Sequence, residues 1–408
     1  MSIFKAAFCS LLVALAAVAS VPAADRPAQQ QHWVAAWSAS PDQDGPALSG
    51  KTIRQVVRPS VGGPSVRLRL SNLYGTAPVT IGPVHIAKHA GESAIQSATD
   101  RAVTFGGMPT VTIAQGTDAL SDPVAFPLVA FEQVAISLYV VDGKASTLHG
   151  VGMQTAFIAN GQVTSAAKLE NSETDTSRYF LTDLEVAARA DARTVVVIGD
   201  SITDGVGSTL DRNRRWTDQL AERLRADPAL ASIAVVNSGI AGNRLLNDAS
   251  APFIGPSMLA RFERDVLSKP GVRWVVVLTG SNDISASDML STPQDKVSAQ
   301  QIIAGLQQLI ARAHAKGIKV YGATLLPKAG VGKPFVHTPE AQVKRDEVNA
   351  WIRSSGAFDA VVDFGRLMSD PAQPDHLAPR YDSGDHLHPN DAGFEAMAAA
   401  IDLRVLRD

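Results

Sequence analysis

A chain of 408 residues is too long for one ordinary core, so two folding units are expected. Hydrophobic residues at 45% and charged residues at 19% exclude a disordered chain. A formal net charge of only -3 excludes a broad basic field for a nucleic-acid backbone, so no nucleic-acid partner is expected.

The chain opens on MSIFKAAFCSLLVALAAVASVPAADRP, which has the parts of an export signal. Lys5 supplies a short positive start, residues 6–19 an apolar run, and SVPAAD small residues for cleavage near Ala23 or Ala24. The run is shorter than the roughly 20 residues a membrane span needs. Residues 1–24 are therefore expected to be removed, leaving a secreted or periplasmic protein with no stable membrane insertion. The one cysteine, Cys9, lies inside the leader, so the mature protein is expected to have no disulfide, cysteine nucleophile or zinc–thiolate site.

Residues 33–180 read as short strands and turns. TIRQVVRPS, SVRLRLSNLYG, VTIGPVHIAKH, VTIAQGT and QVAISLYVV are rich in β-branched residues and bounded by Gly, Pro, Asn or Ser. Val66, Leu68 and Leu70 alternate with Arg67 and Arg69, so they point to opposite faces. An antiparallel β-sandwich over residues 32–185 is the expected result. Trp33, Trp37 and Tyr74 could stack on sugar rings, or the tryptophans could seal the sandwich against the second half of the chain.

From residue 193 the period changes to strand, loop, helix. Strands are expected at TVVVI, IAVVNS, RWVVVLT, IKVYGAT and DAVVDF. Helices are expected at RRWTDQLAERLRAD, SMLARFERDVLS, SAQQIIAGLQQLIARAHAKG, TPEAQVKRDEVNAWIRSS and NDAGFEAMAAAIDL. Nearly continuous apolar strands alternating with helices imply an α/β unit over 193–408 with a five-stranded parallel sheet covered on both faces. Sites in such sheets lie beyond the carboxyl ends of the strands.

Those ends carry GDSITDG, NSGIAGNRLLND, GSNDIS and YDSGDHLHPN, and with them Ser201, Gly242, Asn282, Asp385 and His388. A serine hydroxyl attacks an ester when a neighbouring imidazole takes its proton and a carboxylate orients that imidazole. Helix-start and glycine N–H groups and an asparagine amide can receive the oxyanion. Of the nine histidines, His32, His85, His89 and His149 fall in the sandwich half, His314 in a helix and His337 in a loop after the fourth strand. His376, His386 and His388 remain after the fifth strand. Asp385 stands three residues before His388, and Pro389 fixes the backbone beyond it. His386 is read as a packing or solvent-facing residue.

Other chemistries fit less well. The first loop has neither GxGxxG nor a lysine-bearing phosphate loop, and GVGKP at 330–334 has Pro334 where a hydroxyl is needed. Asp385, His386 and His388 could ligate a metal, but no HExxH motif or fourth ligand is near. Asp200 and Asp283 suit loop-holding hydrogen bonds better than a glycosidase pair.

GDS, GxxGNR, GSND and DHLHP, in this order, resemble blocks I, II, III and V of the SGNH (GDSL) hydrolase family across residues 193–408. WVAAWSASP and VRLRLSNLYG resemble the β-domain preceding such a domain in a branch of exported bacterial esterases. NRRW, GIAGNRLLND and YDSGDHLHPNDAG resemble arylesterases or acylhydrolases associated with xylan-degrading bacteria. The resemblance implies a flavodoxin-like α/β fold, Ser201 as nucleophile, His388 as base and Asp385 as its orienter. It implies an oxyanion hole of Ser201 N–H, Gly242 N–H and the Asn282 side chain, with no cofactor or metal. The first block departs only in Ile202, where leucine is usual. Arg244 either meets an acidic substrate group or closes a salt bridge. The expected activity is removal of acetyl or other short acyl groups from polysaccharide or small esters. A broad arylesterase or lipase-like acylhydrolase, an acyl transferase, and a polysaccharide binder with a vestigial triad are the alternatives.

Overall fold

A computed structural model describes residues 31–248, 251–290, 292–332 and 336–407; the export signal read at 1–24 lies outside these. The antiparallel part is built as the alternation requires. One sheet runs His32–Ser38, Leu181–Ala188, Gly63–Ser71, Asp118–Leu120, with Val124–Leu128 also on Gly63–Ser71. A larger sheet runs Glu173–Asp175, Ala156–Asn160, Lys51–Val57, Val134–Asp142, Val79–Lys88, Arg101–Val103, with Val111–Ile113 on Val79–Lys88. Inward residues of both, among them Leu68, Leu70, Ile81, Ile136 and Leu184, share one apolar core. The opposite face of Gly63–Ser71 carries Arg67 and Arg69, both paired with Glu185 of the neighbouring strand. Arg67 also lies over the Trp33 ring, 4.4 Å from its centroid. A small third sheet, Arg178–Tyr179, Ser146–His149, Gln43–Gly45, is not evident in the sequence pattern.

The second part is a parallel sheet in the order Ile233–Gly239, Arg193–Gly199, Val272–Leu278, Lys319–Ala323, Ala360–Val362. Sequence order therefore reverses at Arg193–Gly199, which leaves a crevice beyond its carboxyl end. Val195, Val196, Val197 and Ile198 are fully buried, as a strand covered on both faces requires. Helix Trp216–Ala226 packs with Asp391–Ala400, and Ala299–His314 packs with Met258–Phe262 and Pro339–Ser354. The helix starts are set locally. Ser298 and Gln301 form a capping box, Thr338 caps a helix with Pro339 in its first turn, and Asn390 caps the last long helix.

Two elements depart from expectation. GSNDIS continues as a helix, Ser281–Met289, because Gly280 turns left-handed at φ 113° and Asp283 is anchored in its first turn. SMLARFERDVLS is helical but widens into a π turn at Glu263–Leu267.

The antiparallel part closes the exposed edge of the parallel sheet. Ser60 Oγ donates to the Val235 carbonyl and accepts its amide, both at 2.9 Å, and Ser38 Oγ donates to Asn237 O at 2.7 Å. Trp37 lines the seam beside Asn237 and Gly239. Residues His32–Asp408 cluster as one compact unit.

Candidate active site

The strand Arg193–Gly199 delivers Ser201 to the crevice. Asp200 is extended and accepts the Ile202 amide at 3.1 Å, which starts the one-turn helix Ser201–Asp204. Gly205, left-handed at φ 107°, ends that helix by donating to Ser201 O at 2.9 Å. Ser201 is half-buried while the other three residues of the turn are buried. Burial pushes the Asp200 carboxyl up to about 6, against the lowering effect of the Ile202 amide and the Lys328 charge.

The loop before the last long helix is held by its own acids. Asp382 accepts from the Gly384 and His386 amides at 2.8 and 3.0 Å and faces His386 Nδ1 at 2.6 Å. His386 is thus a brace with an exposed side chain. Asp385 Oδ1 accepts the Leu387 and His388 amides at 2.9 and 2.8 Å, and its Oδ2 lies 2.5 Å from His388 Nδ1. A carboxylate there makes Nδ1 the donor, which leaves Nε2 as acceptor, 2.9 Å from Ser201 Oγ. Partial burial works to raise the Asp385 carboxyl, but these hydrogen bonds prevail and hold it at about 2.

The Ser201 turn and this loop are tied together. Thr209 donates through its amide and hydroxyl to Asp391 at 2.8 and 2.6 Å. At Gly207, φ is +96°, and a Cβ would stand 2.5 Å from the Pro389 carbonyl. Only glycine allows so close an approach.

The loops after the second and third strands converge on the same place. Gly242 has φ +76°, and a Cβ would overlap the Ile254 side chain. Asn282, in the first turn of Ser281–Met289, donates to Asn243 O at 3.1 Å, and an amide has a second hydrogen to give. Asp283 accepts the Leu245 and Leu246 amides at 2.8 and 3.0 Å, so it ties the third-strand helix to the second-strand loop. Arg244 is buried, 2.5 Å from Asp295 and bonded to Asp248 O; the salt bridge is the arrangement seen.

Two buried cations behind these loops were not read from the sequence. Arg261 is fully buried and donates to Gly199 O, Ser238 O and Asn243 Oδ1 at 3.0, 2.7 and 3.0 Å, which joins the ends of the first two parallel strands. Its one sequence signal is an Arg–Asp pair four residues apart, with Asp265 at 2.9 Å. Lys328 donates to Ser285 Oγ at 2.7 Å and Ser281 O at 3.2 Å, behind Asn282, and burial lowers its ammonium to about 8. The sequence places Lys328 in the loop KAGVGKPFVHTPE, of which residues 333–335 lie outside the described residues. Among the described residues, no three His, Cys, Asp or Glu side chains are grouped to hold a metal ion, and no helix is long and apolar enough to cross a membrane.

Residues 197–396 match the model of the GDSL-like Lipase/Acylhydrolase family. A search of curated proteins gives no match. Solved structures similar to this chain include a GDSL-like lipase from Bacteroides thetaiotaomicron, 21% identical with TM-score 0.38, matching 53% of this chain and 88% of that one. The aryl esterase of M. smegmatis is 18% identical with TM-score 0.40, over 51% of this chain and 96% of that one. An acetylxylan esterase from Geobacillus stearothermophilus is 23% identical with TM-score 0.39, over 52% and 94%.

Proposed function

Because residues 197–396 match the model of the GDSL-like Lipase/Acylhydrolase family, we propose that the chain is an exported serine esterase that removes acetyl or other short acyl groups from polysaccharide or small esters. The observation that carries the chemistry is the continuous hydrogen-bonded run from Ser201 Oγ through His388 to Asp385 at the crevice. Ser201 Oγ attacks the ester carbonyl as His388 Nε2 takes its proton, and Asp385 stabilises the imidazolium. The oxyanion is received by the Ser201 and Gly242 amides and the second hydrogen of Asn282. His388 then protonates the leaving alcohol, and water repeats the sequence to free the acid. No cofactor or metal takes part.

The polymer preference is supported by an open rim and by the resemblance of the sequence to exported esterases. The Asp385 and His386 side chains are 49% and 56% exposed while that of His388 is 13% exposed, so the base sits just inside a loop that is itself open to solvent, where an acyl group on a bulky chain can approach. The leader at 1–24 supports export. The test is a series of 4-nitrophenyl esters from acetate to laurate, run beside acetylated xylan with acetate release measured. Rapid acetate cleavage and acetate release are expected. Good cleavage of long esters with no acetate release would replace this reading with a broad arylesterase or lipase-like enzyme. Failure of Ser201 to react with a fluorophosphonate would make the triad vestigial.

A further inference from the structure

One buried ionisable cluster remains unused by this mechanism, where the antiparallel part meets the nucleophile turn. His149 ends the strand Ser146–His149 and is only 5% exposed. Its Nδ1 lies 2.8 Å from the Ser40 carbonyl and 3.5 Å from Asp42 Oδ2. Its Nε2 lies 3.1 Å from the Val151 carbonyl and 3.0 Å from Asp204 Oδ1. Carbonyls offer no proton, so a ring with a carbonyl at each nitrogen must donate from both, and His149 is an imidazolium.

What it holds is the catalytic frame. Asp204 closes the turn that Ser201 opens. Its Oδ2 accepts the amide of Ala241, the residue before Gly242, at 2.9 Å, and its carbonyl accepts Arg215 Nε at 2.6 Å. A single carboxylate therefore joins His149, the nucleophile turn and the proposed oxyanion loop.

We propose, resting on the ester-hydrolase reading above, that His149 is a positioning residue: its imidazolium fixes Asp204, and through Asp204 both the turn carrying Ser201 and the amide preceding Gly242. The antiparallel part is then a working component of the active site. Four charged groups face or neighbour the ring: Asp42, Asp204 on the nucleophile turn, Arg215 before helix Trp216–Ala226, and Arg178, opposite His149 in the small sheet. Burial acts to lower the His149 pKa, but Asp204 and Asp42 outweigh burial and Arg215 and raise it to about 9. Burial raises the Asp42 carboxyl to about 6. Because the His149 value is raised above its ordinary 6.5, its stabilising effect is complete below that pH and is lost as pH rises through about 9.

The test compares wild type with His149→Gln, Asp204→Asn and the double variant, with fold checked by circular dichroism, on 4-nitrophenyl acetate from pH 7 to 10. Wild-type kcat should fall above pH about 9 with KM little changed. His149→Gln should lose roughly tenfold in kcat at pH 7.5, show no fall near pH 9, and be no worse in the double variant. A variant with wild-type kcat and pH profile overturns the proposal. The Ala241 amide resonance of the wild type gives a second readout that needs neither substrate nor variant. It should titrate with a midpoint near 9, and a constant shift across that range overturns the proposal. A wild type that cleaves no ester while the Ala241 amide still titrates would sink the esterase reading instead.

Discussion

Ser201 serves one step of the proposed reaction twice, because its hydroxyl attacks while its amide receives the charge that the attack creates. Ser201→Ala should lower ester turnover on the order of a millionfold and abolish fluorophosphonate labelling, with circular dichroism unchanged. Retained turnover would place the nucleophile elsewhere. Asn282→Ala keeps the nucleophile but removes one oxyanion donor, so kcat should fall about 10²–10³-fold with KM nearly constant. Asp200 makes the opposite kind of contribution. Its pKa is raised to about 6, so folding favours its protonated form. The stability this gives is present below its ordinary value of 3.8 and is lost as pH rises through about 6. Asp200→Asn, which keeps a capping side chain, should therefore raise the Tm at pH 8 and leave it nearly unchanged at pH 4. An equal effect at both pH values would show that burial of the charge is not the cause.

At the scale of elements, the site depends on how loops are braced from beneath. Gly242→Ala combines a left-handed φ of +76° with overlap onto Ile254, so it should reduce kcat through displacement of the loop. Turnover equal to wild type would show that the loop tolerates the shift. Arg261→Met removes the cation that joins two strand ends and leaves Asp265 buried with one partner fewer; a loss of about 3–5 kcal/mol in urea unfolding at pH 7 is expected. Burial works to raise the Asp265 pKa, but Arg264 and Arg261 hold it well below the ordinary carboxylate range. That stability is present above 3.8 and is lost as pH falls, so the gap between variant and wild type should narrow in acid.

These braces mark the limit of what the sequence reveals. The first four parallel strands were legible because a strand covered on both faces is apolar throughout, and the candidate residues Ser201, Gly242 and Asn282 because each follows such a strand; Ala360–Val362 is partly exposed, and Asp385 and His388 lie well beyond it, past the helix Phe364–Met368. Ser281–Met289 was missed because SNDISASDM has no apolar stripe; a glycine turn and the anchored Asp283 sustain it. Arg54 and Arg261 look like solvent-facing charges in TIRQVV and LARFERD, yet both are fully buried. Their partners, such as Ala166 for Arg54 and Gly199 for Arg261, lie far away in sequence, and no local pattern announces them. His149 escaped for the same reason, since its partners come from three separate segments.

Across the whole molecule, the antiparallel part is needed to finish the parallel sheet. Ile233–Gly239 is an edge strand, and an unpaired edge recruits other strands. Residues 193–408 produced alone should aggregate or elute as large assemblies on gel filtration, whereas residues 32–408 should remain soluble. A soluble, active 193–408 fragment would show that the edge protects itself. Ser60→Ala is the milder version: it leaves the Val235 amide and carbonyl without their hydroxyl partner and should cost about 1–3 kcal/mol.

The link between Thr209 and Asp391 closes a circuit that begins and ends far apart in the order of synthesis. A growing chain carries Ser201 long before His388 has been made. In the proposed mechanism, until the segment carrying His388 arrives, that hydroxyl is an ordinary alcohol with nothing to take its proton. On that mechanism the later segment is the one that switches the serine on, so the hydroxyl stays chemically silent until that segment has been made and folded.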